Sequence, residues 1–222
     1  MDLSPLYVSL RIALISTAIN IFVSFLCVYA GMRNDGLRRV IDVIATFPMV
    51  LPPTFVGFII LMTFGLRGPL GSFLNSVGVR VVFTVLGAVI ASSVVSFPMV
   101  YRSMDAGFRS VDTNYVKAAK VLGAGDRKIF FVVLLPLAWP SFFSGVILGF
   151  SRALGEFGAT LMVAGNIPGR TQTLPLALYF CVEQGDLKTA WLYGAVIVAI
   201  ALAASLSVEL LSEKFVSKRV SR

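Results

Sequence analysis

The chain has 222 residues, of which 57% are hydrophobic and only 14% charged, with a net charge of +8 and no histidine. Soluble globular domains carry roughly 25% charged residues, so this composition excludes a soluble enzyme or a disordered chain and leaves a polytopic membrane protein. The missing histidine also excludes a His-based triad, a His-ligated metal and a histidine proton relay.

Charges divide the chain into stretches long enough to cross a bilayer, for which about 20 helical residues at roughly 1.5 Å each suffice. The first lies between Arg11 and Arg33. It exceeds a signal-peptide apolar region, and Cys27-Val-Tyr-Ala30 offers no small-x-small cleavage site, so it is expected to stay as a helix. The second lies between Asp42 and Arg67, the third between Arg80 and Arg102, the fourth from Ile129 to Ser151, and the fifth from Trp191 to Val208. Between the last two, Ala153–Gln184 is interrupted by Glu156 and Arg170, with a turn signal at Asn166, Pro168 and Gly169. Residues 153–190 are therefore predicted to form an outer-face hairpin or re-entrant segment; a sixth crossing there would reverse the C-terminus. The expected fold is all-α: a single transmembrane domain over 1–222, a bundle of five helices, or six if this segment crosses.

Alternate sides of five spans collect thirteen and six Lys and Arg residues. The positive-inside rule then predicts an N-terminus outside and a C-terminus, with Lys214, Lys218, Arg219 and Arg222, in the cytoplasm of a cell-membrane protein. Basic residues placed between spans, rather than in a stripe with aromatics, argue against nucleic acid. Cys27 and Cys181 stand far apart, leaving neither a CxxC redox pair nor a metal site.

By these boundaries no span interior contains a charged side chain, which disfavours carriers that neutralise or coordinate an ion inside the bilayer. An ion-coupled secondary carrier remains the competing class, because carbonyls and Thr hydroxyls at unwound helices also bind sodium. No GxxxxGK[ST] loop is present, so the chain is expected to be no enzyme and to bind no cofactor, with any nucleotide held by a partner. Pro48, Pro52 and Pro53 crowd the second span, Pro98 is expected to end the third, and Pro136 and Pro140 to kink the fourth. Each removes a backbone donor. Two readings stand: a pathway of loosened backbone near Thr46, Thr54, Ser92, Ser93 and Ser96, or the ordinary proline content of membrane helices. Gly145 and Gly149 form GxxxG, which permits close helix approach and weakly supports dimer packing. Arg152 and Glu156 share a face if the helix continues, either as a gate or as a helix-end ion pair.

Residues 102–128 form the longest internal cytoplasmic segment. Asp112 or Thr113 is expected to cap a short helix ending at Gly123 or Gly125. Tyr115, Ala118, Ala119 and Leu122 then fall on one small apolar face beside Lys117 and Lys120, suited either to a groove on a partner or to the membrane interface.

Lys117-Ala-Ala119, Leu122-Gly-Ala124 and Leu135-Pro136 resemble the EAA loop of binding-protein-dependent ABC importer permeases, with Lys117 in place of the usual glutamate. Phe47-Pro-Met-Val-Leu-Pro-Pro53, Ser96-Phe-Pro98, Ser151 to Thr160 and Gly165-Asn-Ile-Pro-Gly-Arg-Thr-Gln-Thr-Leu-Pro175 are similar to the molybdate branch, with sulfate and tungstate permeases sharing parts of them. The resemblance implies an ABC type I importer permease fold. It also implies a homodimer in the bilayer, two ATPase subunits holding ATP-Mg, and an extracytoplasmic oxyanion-binding protein. It makes Tyr115, Lys117, Ala118, Ala119, Lys120, Leu122, Gly123, Ala124 and Gly125 the ATPase-coupling residues. The pathway or gate is expected among Pro48, Pro52, Pro53, Thr54, Ser96, Arg152, Glu156, Thr160 and Asn166.

Overall fold

A computed structural model describes residues 2–220, with side-chain surroundings given for 2–210. Lys214, Lys218, Arg219 and Arg222, counted above toward orientation, have side chains outside that range. The helices are α1 (Ser4–Gly31), α2 (Asp35–Val50), α3 (Pro53–Phe64), α4 (Pro69–Ser76), α5 (Val85–Arg109), α6 (Thr113–Val121), α7 (Asp126–Lys128), α8 (Leu135–Leu154), α9 (Gly158–Ala164), α10 (Leu174–Glu183) and α11 (Leu187–Val220). A π-helical stretch, Ile129–Leu134, joins α7 to α8. Pro136 has no N–H and its ring crowds the carbonyl one turn back, so the backbone widens there instead of breaking.

Among the described residues, four helices are long and apolar enough to cross a membrane: Ser4–Gly31, Val85–Arg109, Asp126–Leu154 and Leu187–Leu210. The second predicted span is not one rod. It divides into α2 and α3, which meet at 111°. Pro48 is accommodated inside α2, and the break falls after Val50, where Pro52 and Pro53 deny two consecutive donors and hold Leu51 and Pro52 extended. Helices α9 and α10, of 7 and 10 residues, are each too short to cross alone.

The charged boundaries used above also shift. Helix α1 begins before Arg11, and α5 is not ended by Pro98, which it accommodates in its interior, but continues through Arg102, Asp105 and Arg109 to Ser110. Asp105, 5% exposed, lies within α5, three residues past Arg102.

Helix α5 is the hub. Residues 16 and 20 of α1 pair with 89 and 93 of α5 in parallel, whereas α8 runs antiparallel to it, placing Gly145 and Gly149 against Ser103 and Val100. A Cβ on Gly145 would stand 2.6 Å from the Cβ of Ser103. The GxxxG pair is therefore spent inside the chain, between α8 and α5, and supports no contact between copies. Tyr193 donates its hydroxyl to the Asp2 carbonyl at 3.0 Å, so α1 and α11 start on one face and both run toward the face bearing α6. On the starting face, hydrogen bonds from Thr189 hold the Asp186 carboxyl below the usual carboxylate range at the head of α11.

Candidate functional site

The α6 segment is built from its ends inward. The Asp112 carboxylate accepts from the Asn114 N–H at 2.8 Å, the expected cap. At the other end Gly123, φ +76°, lies in the left-handed region that favours glycine. Its N–H reaches the Lys120 carbonyl at 2.9 Å, and the Ala124 N–H reaches Ala119 at 2.9 Å, closing a Schellman turn. Gly125 is ordinary extended backbone at the head of α7.

The helix turns differently from the predicted face. Val116, Ala119 and Ala124 pack inward on a cluster that includes Phe108, Ile129 and Phe130, with Tyr29 and Phe25 against the Phe130 ring. Ala119 thus belongs to the floor rather than to the presented face. Tyr115, Lys117, Ala118, Lys120, Val121 and Leu122 are exposed, Val121 and Leu122 at 87% and 85%. An exposed Tyr-Ala-Val-Leu surface flanked by two lysines stands on a floor of interlocking aromatic rings.

Beside this floor lies a charged network that sequence reasoning missed. Asp105 accepts from Arg38 Nη2 and Arg109 Nε, each at 2.7 Å. Asp42 accepts from Arg109 Nη2 at 3.0 Å and from the Tyr101 hydroxyl at 2.7 Å. Two carboxylates and two guanidiniums neutralise each other while joining α2 to the end of α5 from which α6 departs. Ala45 is the only residue of α2 that is buried, so these polar contacts form much of what holds that helix to the body.

A second polar arrangement runs between α1 and α5. Asn20 donates to Ser96 Oγ at 2.9 Å and to the Ser93 carbonyl at 3.2 Å, Ser96 to the Ser92 carbonyl at 2.6 Å, and Ser92 to the Ala153 carbonyl at 3.1 Å. Ser96, fully buried, is part of this interhelical clasp. Asn20→Ala should lower thermal stability in detergent by about 1 kcal/mol, the scale of hydrogen bonds between membrane helices. An unchanged melting midpoint would contradict the clasp.

The remaining predicted pathway residues divide in two. Pro53 and Thr54, at the head of α3, press against Gly158, where a Cβ would lie 2.9 Å from Thr54 Cγ2. Glu156, 2% exposed, accepts the Ala159 N–H at 2.8 Å at the start of α9, and its Oε2 lies 2.7 Å from Arg152 Nη1 in an ionic contact. That pair forms across the end of α8, which stops at Leu154, not along a continuing helix. Thr160 is buried in the first turn of α9. Thus Pro52, Pro53, Thr54, Arg152, Glu156 and Thr160 surround the α3–α9 contact. Pro48 lies back along α2, and Asn166 lies beyond the far end of α9 with its Oδ1 unpartnered. The Ser92–Ala153 bond sets the depth of this contact, roughly 10 Å from the start of α5.

Residues 21–221 match the family described as "Binding-protein-dependent transport system inner membrane component". The chain belongs to that family. The permease is 38% identical over 204 residues to the molybdenum transport system permease protein ModB of Escherichia coli K12, covering 90% of this chain and 86% of that one. It is 37% identical over 188 residues to ModB of Haemophilus influenzae, covering 82% and 81%. Against a Chlorokybus atmophyticus protein named "Probable sulfate transport system permease protein cysT" it is 34% identical over 201 residues, covering 90% and 70%. Among solved structures it is similar to the inward-facing MetNI methionine ABC transporter (TM-score 0.68, 17% identity, 93% of this chain and 94% of that one). It is also similar to a bacterial ABC transporter involved in alginate import (TM-score 0.73, 14% identity, 99% and 80%). The permease is a multi-pass membrane protein with the fold of ABC importer permeases.

Proposed function

We propose that this permease is the transmembrane subunit of an ATP-driven, binding-protein-dependent importer of molybdate. The observation that carries the reading is its 38% identity to E. coli ModB over 90% of the chain. A second reading, sulfate, is favoured by the 34% identity to the cysT protein, with tungstate as a further oxyanion of similar shape. In this reading the N-terminus is outside and the C-terminus and α6 are cytoplasmic, two copies pair with two ABC ATPase subunits that hold ATP-Mg, and an extracytoplasmic binding protein delivers the anion.

The presented residues Tyr115, Lys117, Ala118, Lys120 and Leu122 dock on the ATPase, while Ala119, Gly123, Ala124 and Gly125 fix the position of the helix that carries them. ATPase closure moves α6. The aromatic floor and the Arg38–Asp105–Arg109–Asp42 network pass that movement to α2 and the bend at Pro52 and Pro53. Weak donors around the α3–α9 contact suit a cargo that must leave as readily as it enters.

The test is uptake of radiolabelled molybdate into proteoliposomes. ATP-dependent uptake requiring both the ATPase and the binding protein is expected, and uptake driven by an ion gradient alone would replace this reading with a secondary carrier. Comparing the partner binding protein's affinities for molybdate, tungstate and sulfate decides the cargo.

A further inference from the structure

On the face opposite α6 lies a cleft of about 590 Å³, walled by the end of α3, the α4–α5 connection and the α9–α10 connection. Its lining includes Arg67, Arg80 and Arg170, one from each of three separate connections, together with Asn75 and Thr84. It includes no carboxylate. The sequence carries no Asp or Glu anywhere in 43–104 or 157–182, the segments that supply the cleft. Among the described residues, none of the three guanidiniums is in an ion pair, whereas Arg38, Arg109 and Arg152 all are. Glu156, close in sequence to Arg170, is buried and already occupied by Arg152.

The arrangement is built rather than loose. The Phe83 N–H donates to the Val163 carbonyl at 2.9 Å, tying the connection that carries Arg80 to the helix that leads into the one carrying Arg170. Phe83 itself holds φ +60°, a strained backbone for a bulky side chain, and its ring packs over Gly165. Beyond Gly165, the Thr171 hydroxyl accepts from the Ile167 N–H and donates to the Gly165 carbonyl, each at 3.1 Å, closing the loop from which Arg170 projects.

Three guanidiniums line one cleft that has no carboxylate in its lining, and a cleft lined by one sign of charge concentrates the field that draws an anion in. Guanidinium forks match an anion with several oxygens better than a single halide. We infer that this cleft is a binding site for a tetrahedral oxyanion, supplied either as a free dianion or as the phosphate of an anionic lipid headgroup. The three arginines are exposed at the rim, so the site captures and releases quickly and is distinct from the buried α3–α9 contact. It stands apart from the transport reading, because occupancy needs neither ATP nor a binding protein.

The test uses the full permease–ATPase complex in lipid nanodiscs, without nucleotide. In one arm the lipid is zwitterionic phosphatidylcholine and molybdate, sulfate or inorganic phosphate is titrated, reading the thermal unfolding midpoint and bound radiolabelled sulfate. In the other, no free oxyanion is added and phosphatidylglycerol is doped into the nanodisc, reading the midpoint and retained lipid. Binding in the first arm assigns a free oxyanion; binding only in the second assigns the headgroup. In either case Arg67→Gln/Arg80→Gln/Arg170→Gln should weaken binding at least about tenfold. Lys188→Gln, an exposed cation on the same face outside the cleft, should not. Single Arg170→Gln and Arg80→Gln variants keep the test readable if the triple variant is poorly assembled. No response in either arm, or an equal response in the arginine variants, overturns the site; so does anion-independent attraction of an acidic protein surface to the same arginines.

Discussion

Asp105→Ala is expected to destabilise the protein by on the order of 2–4 kcal/mol and to abolish most transport. The side chain is nearly buried and accepts from two guanidiniums, so its removal takes from Arg38 its ionic partner and leaves Arg109 with Asp42 alone. Breaking a fully buried ion pair costs roughly 3–5 kcal/mol. The range here is lower because the Arg109 side chain is 49% exposed and partly screened by solvent. Asp105→Asn keeps the volume and one acceptor and should fall between the two. Thermal unfolding in detergent checks the first part. Limited proteolysis within 31–50 checks that α2 is the helix released. A wild-type melting midpoint in Asp105→Ala would show that the network holds nothing.

Ala118→Glu and Gly123→Val should each reduce uptake about tenfold or more while leaving the permease inserted, and for different reasons. Ala118 is exposed on the presented side of α6, so a carboxylate there blocks close approach of a partner without touching the aromatic floor. Gly123 has open space around a Cβ but holds φ +76°, where a β-branched residue costs roughly 1–2 kcal/mol or more, and the Schellman turn unwinds. Gly123→Ala should be milder. The control is Ala119→Glu, one position on: it points into the floor with Val116, so it should lower the melting midpoint where Ala118→Glu does not. ATP hydrolysis that persists while uptake falls is the signature of lost coupling. Normal uptake in Ala118→Glu would remove α6 from the docking surface.

Much of the membrane pattern was legible because charge is expensive in hydrocarbon. The uncharged stretches marked all four long helices and the α2–α3 pair, and Asp112 and Gly123 announced the two ends of α6. The same rule hid the network. Taking Asp42 and Arg102 as boundaries assumed that charges end helices, whereas Asp105 and Arg109 continue one by neutralising each other. The 3.6-residue period gives a helix its faces but not the side it turns inward, so it places Ala119 beside Ala118 although only Ala119 packs on the floor. Gly145 and Gly149 signalled close packing without naming the partner, which proved to be α5. Asn20 carries no charge and so leaves no mark on the charge pattern, although a lone amide among Ser and Thr on a membrane helix is a reason to seek a neighbour.

The α3–α9 contact also constrains how the protein is made. At 12 and 7 residues, these helices span roughly 18 and 10 Å, and neither can settle in hydrocarbon unaided. Gly57 meets Ala159 closely enough that a Cβ would stand 2.8 Å from its Cα. Translation reaches α9 roughly 100 residues after α3, about 5–20 seconds at ordinary elongation rates. During that interval the nascent chain holds its first half in a provisional arrangement, and this quarter of the bundle closes only once the later strand of polypeptide emerges.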